Sequence, residues 1–78
     1  MPSLRRDFGL GLKAVRLDRK LTQEEFAELV GISVDFLSLI ERGINAPSFE
    51  VLERMADRMD LQGRELFDFR KRARTGGW

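Results

Sequence analysis

A chain of 78 residues with 42% hydrophobic and 35% charged side chains holds one small globular domain and is too apolar to stay disordered. The absence of cysteine and histidine excludes disulfides and thiolate metal sites, and removes the commonest zinc ligand and the commonest general base. With 14 Lys and Arg against 13 Asp and Glu the net charge is +1, so nucleic-acid binding cannot be argued from net charge. No apolar run approaches the roughly 18 residues of a membrane span. The start, M-P-S-L-R-R-D, has no apolar signal core, so a cytoplasmic protein is expected.

In chain order, a first helix is expected over about Leu4–Asp18, where Phe8, Leu12 and Val15 recur at helical spacing. Gly9 and Gly11 count against it by roughly 1 kcal/mol each. Gly9 has a reading, close packing by another helix, and Gly11 has none. Thr22 and Glu25 make a T-x-x-E capping box that opens a second helix ending at Val30. Gly31 then supplies a sharp turn. Ser33 caps a third helix that runs to Arg42, with Gly43 as its stop. Phe26, Val30, Ile32, Leu37 and Ile40 have the spacing of two crossed helices sharing a core, with the small Ala27 at their approach. After a loop over Ile44–Pro47, Ser48 caps a fourth helix, about Phe49–Met59. Its expected core face is Phe49, Leu52, Met55, Ala56 and Met59. A short fifth helix is expected over roughly Gly63–Phe69.

These pieces predict an all-α domain of five helices, with a core over about residues 8–69 and a basic, flexible tail over 70–78. Two helices around a glycine turn, with the second presented outward, are the layout of a helix-turn-helix. Charge is unevenly placed. Arg5, Arg6, Lys13, Arg16, Arg19 and Lys20 precede this motif, Arg70, Lys71, Arg72 and Arg74 crowd the tail, and most acids lie between. Such asymmetry suits a basic docking surface, and equally an ordinary mixed surface with a solvated tail.

The run L-T-Q-E-E-F-A-E-L-V-G-I-S, followed by L-S-L-I-E-R-G and P-S, resembles the lambda-repressor-like, Cro/C1-type helix-turn-helix family, also called XRE. The likeness covers about Phe8–Phe67. It implies that Gln23 meets a DNA phosphate at a helix N-terminus, where free N–H groups and the dipole favour an anion; a polar residue in a capped first turn is the alternative. It implies that Val34, Asp35, Ser38 and Leu39 face base edges, with Ser33 and Asn45 toward phosphates. No arginine, glutamine or asparagine stands among those four for a bidentate purine contact. Val34 and Leu39 suit thymine methyls, Asp35 suits cytosine N4, and Ser38 suits several bases. Both apolar residues also suit a protein interface. Arg42 suits a phosphate, or the C-terminal dipole of its own helix. Arg16 and Glu41 are implied as a salt bridge tying the first helix to the third, with Arg16 also in reach of phosphate.

In small members of the family the last helices often form a two-fold interface. Leu61, Leu66, Phe67 and Phe69 are the candidates here, core cover being the alternative. The implied function is a sequence-specific transcriptional regulator. It binds double-stranded DNA as a homodimer on a pseudo-palindromic operator, without cofactor, metal or membrane. An interaction module, such as an antitoxin or a coactivator, is the rival. An enzyme is not expected: there is no histidine, cysteine or phosphate-binding glycine loop, and Glu24, Glu25 and Glu28 read as a solvated helix face.

Overall fold

The computed structural model describes residues 3–60. They form four helices and no strand: α1 (Leu4–Asp18), α2 (Gln23–Val30), α3 (Val34–Glu41) and α4 (Phe49–Arg58). The third and fourth helices stop one residue short of the expected ends, because Arg42 and Met59 are their C-caps. The expected fifth helix and the cluster Leu61, Leu66, Phe67 and Phe69 lie outside the described residues. None of the described helices is long and apolar enough to cross a membrane.

Each helix begins on a hydroxyl. Ser3, Thr22, Ser33 and Ser48 accept from the backbone N–H three residues on, satisfying a donor that the helix itself leaves open. At α2 the capping is reciprocal, since the Thr22 backbone N–H donates to Glu25 Oε1 at 2.9 Å. Hydrogen bonding to the carboxylate by the Thr22 backbone N–H first, and by the Thr22 side chain second, favours the ionised form and holds the Glu25 pKa below its ordinary value. The turns are set by two glycines. Gly31 has φ 83° and Gly43 has φ 75°, in the left-handed region where a side chain is strained. The N–H groups of Gly31 and Ile32 both donate to the Ala27 carbonyl, closing α2. Beyond Gly43, the N–H groups of Ile44 and Asn45 return to the Leu39 carbonyl, closing α3.

The core is built by Leu12, Val15, Phe26, Ala27, Val30, Leu37, Ile40, Val51, Met55 and Met59, with Phe8, Leu21, Ile32, Val34, Phe36, Leu52 and Ala56 packed against it. α3 lies between α1 and α2, and α2 also packs on α4. One expected core residue is misplaced: Phe49 is 78% exposed, and Val51 is buried in its stead. Two residues along a helix are turned by about 200°, so the face of α4 that buries Val51, Met55 and Met59 turns Phe49 outward. From α4, Arg58 Nη1 donates to the Leu29 carbonyl at 3.0 Å and Arg54 Nη1 to the Gly31 carbonyl at 3.4 Å. Long side chains thus close the open carbonyl end of α2, which holds no basic residue of its own.

Candidate nucleic-acid interface

The interface begins with how α3 is held. Arg16 and Glu41, 6% and 5% exposed, face each other between α1 and α3. Arg16 Nε donates to Glu41 Oε2 at 2.7 Å and Nη2 to Oε1 at 3.1 Å, while Nη1 donates to the Leu21 carbonyl at 2.7 Å. This fork-to-fork geometry fixes α3 in rotation as well as position. It also engages each of the three guanidinium nitrogens inside the protein and uses three of the five N–H donors, so the main work of Arg16 here is to tie α1 to α3.

Gln23 joins the same network. Its Nε2 donates to Glu41 Oε1 at 3.1 Å, and its side chain is half-buried. The side-chain amide is therefore engaged within the protein. The backbone N–H at the first position of α2 belongs to the turn whose donors a helix leaves open, so an anion here would meet the backbone and the dipole.

α3 presents a mixed front. Asp35, Arg42 and Asn45 are exposed, and Ser38 and Leu39 are half-buried. Val34 is half-buried and packs against the core, which leaves only part of its surface for a partner. Ser33 is exposed, but its hydroxyl already accepts from the Phe36 N–H at 3.0 Å. Asp35, Ser38 and Arg42 recur at helical spacing along one strip. The structure thus brings Ser38, Arg42 and Gln23 together and leaves Asn45 beyond the end of α3.

Sequence reasoning missed the neighbour of that strip. A cleft of about 450 Å³ opens between α1 and α3, lined by Arg6, Leu10 and Lys13 of α1, by Ser38 and Arg42, and by Gln23, with Glu41 also on its wall. The signal was present: Arg6, Leu10 and Lys13 stand at i, i+4 and i+7, the face of α1 beside its core stripe. What the sequence does not carry is that this face borders α3. Among the described residues no group of three or more His, Cys, Asp or Glu is placed to hold a metal ion.

Fold and surface define a helix-turn-helix module in which a buried ion pair ties the short helix α3 to α1. The chain belongs to the helix-turn-helix family of the Cro/C1, or XRE, type: the family profile, described as helix-turn-helix, matches residues 12–66. Over 59 residues, 76% of the chain, it is 39% identical to YazB of Bacillus subtilis (strain 168), an uncharacterized HTH-type transcriptional regulator, and the match takes in 86% of that protein. It is 41% identical over 54 residues, 69% of the chain, to the immunity repressor protein of Bacillus phage phi105, and spans 38% of that longer protein. Among solved structures it resembles the clp gene regulator ClgR from C. glutamicum, with a TM-score of 0.83, 28% identity and 92% of each chain covered.

Proposed function

We propose that this chain is a sequence-specific DNA-binding transcriptional regulator without catalytic activity. It acts in the cytoplasm and binds a pseudo-palindromic operator as a dimer with α3 in the major groove. The observation that carries the reading is the strip Asp35–Ser38–Arg42 on a helix that a buried bidentate ion pair holds in register. A helix read against base edges needs that rigidity, because displacement by an ångström misplaces every contact. Two relatives whose names are a transcriptional regulator and a repressor support it. In a dimer the cluster Leu61, Leu66, Phe67 and Phe69 joins the two copies, which sets the two α3 helices about 34 Å apart, one turn of the duplex. The rival reading, a protein-interaction module, rests on Val34 and Leu39, and both are half-buried.

Selection of bound sites from a random duplex library tests this reading. The expected result is one enriched site with two inverted half-sites whose centres lie about 34 Å apart, bound by two chains per duplex. No enrichment, or enrichment of a lone half-site by a single chain, overturns it.

Within that site the exposed residues of α3 divide their work. Arg42 carries a charge at the end of the helix and suits a phosphate, which every sequence has. Arg42→Ala should weaken all duplexes alike and lower the salt slope by about one unit. Asp35 repels phosphates, so it helps only where a cytosine N4 donor offsets that repulsion. Asp35→Ala should shift the preferred base at one position of each half-site by roughly 1–3 kcal/mol. Affinities for single-base variants of the selected site measure both, and an unchanged preference profile removes Asp35 from base readout.

A further inference from the structure

The cleft between α1 and α3 gathers three cations, Arg6, Lys13 and Arg42. Among the described residues none of the three is ion-paired; the salt bridges there are Arg16–Glu41 and Arg58–Asp57. Glu41 on the cleft wall is neutralised by Arg16 at 2.7 Å, so it does not balance the other three. The gathering is built into the backbone. At Gly43 a Cβ would stand 2.8 Å from the Arg6 Cα, and at Gly9 it would run into the Ile40 carbonyl oxygen. Two glycines thus let α1 lie against α3 closely enough to bring its basic face alongside Arg42. Gln23, the first residue of α2, lines the same cleft and puts the positive end of that helix at its edge.

Like charges converging on a concave surface repel one another, and an anion seated among them reverses the sign of that interaction. Arg6 and Lys13 share one face of α1, four residues before Leu10 and three after it, and both are exposed. A phosphate between them and Arg42 would receive charge-assisted bonds from two helices at once.

We propose that this cleft seats a backbone phosphate of the duplex, with Arg6 and Lys13 of α1 as its ligands beside Arg42. This rests on the regulator reading above and adds α1 to the DNA-binding surface. It commits the site to a polymer phosphate, because the cleft opens beside the strip of α3 that meets the bases.

The test uses the full chain and the site selected from the random library, with Arg6→Gln and Lys13→Gln as variants. Each should lower the salt slope by about 0.9 unit, weaken matched and mismatched duplexes by the same factor, and leave the denaturant midpoint unchanged. Replacing phosphates one at a time by uncharged methylphosphonates should identify one position per half-site where wild type loses affinity and Lys13→Gln loses no more. Inorganic phosphate at millimolar concentration should compete no better than chloride at equal ionic strength; specific competition would mark the cleft as a free-phosphate site and overturn the proposal. Wild-type binding with a steep slope that neither variant changes overturns the cleft alone. Failure of wild type to bind any duplex overturns the cleft and the regulator reading together.

Discussion

Glu41→Ala should lower the unfolding free energy by about 3–5 kcal/mol, the range for removing one partner of a buried ion pair. Glu41 receives three hydrogen bonds, two from Arg16 and one from Gln23. Without it the Arg16 guanidinium stays buried with the Leu21 carbonyl as its one remaining acceptor. A small domain has a total stability of only about 5–15 kcal/mol, and a chain this short lies toward the bottom of that range. The variant should therefore be partly unfolded at 37 °C. Arg16→Ala should be nearly as damaging, because it strands a carboxylate whose other partner is the neutral amide of Gln23. The double replacement Arg16→Met with Glu41→Leu should recover much of the loss, since a well-packed apolar pair avoids both desolvation costs. Urea midpoints for the single and double variants measure the coupling. Additive losses would mean that the pair does not hold α1 to α3. Operator affinity per folded molecule should change less than stability in Arg16→Ala, because all three guanidinium nitrogens of Arg16 are engaged inside the protein.

The parts of this fold that were legible in the sequence are those written locally. A hydroxyl three residues before the N–H it accepts from, a glycine at the point where φ turns positive, and an apolar stripe at helical spacing are short-range patterns. They place Thr22, Ser33, Ser48, Gly31 and Gly43 and all four helix starts. Periodicity misread Phe49 because a stripe is fitted to a face before the partner of that face is known; burial of Val51 decides which side of α4 turns inward. The candidate site was legible along α3 and, through the family resemblance, in the Arg16–Glu41 pair that ties α1 to it. Whether Gln23 spends its amide on a phosphate or on Glu41 depends on a residue 18 positions away. Lys13 and Arg42 become neighbours only once α1 crosses α3. The anchoring of α2 by Arg54 and Arg58 is equally long-range, spanning 23 and 29 residues.

The same crossing makes Gly9→Ala the second substitution with a large expected effect, and its sign depends on a comparison of magnitudes. In an isolated helix alanine is favoured over glycine by roughly 1 kcal/mol, so propensity alone says that the variant gains. The crossing says otherwise. A Cβ on residue 9 would collide with the Ile40 carbonyl oxygen and lie 2.9 Å from the Glu41 carbonyl oxygen. Both obstacles are backbone, so no side-chain rotation relieves them, and α1 must move away from α3. Overpacking a fitted contact costs about 1–3 kcal/mol and occasionally more; a backbone obstacle belongs at the upper end. The net loss should be roughly 2 kcal/mol after the propensity gain is subtracted. Separation of the helices should also lengthen the Arg16–Glu41 bonds and draw Arg6 and Lys13 away from Arg42. Gly9→Ala should thus lose both stability and salt-dependent duplex affinity, although residue 9 lies in the buried contact and carries no charge. Urea midpoints and salt slopes measured on the same preparation decide it. A midpoint at or above that of wild type would show that α1 and α3 tolerate a wider crossing, and that the glycine is not what brings the basic face of α1 to α3.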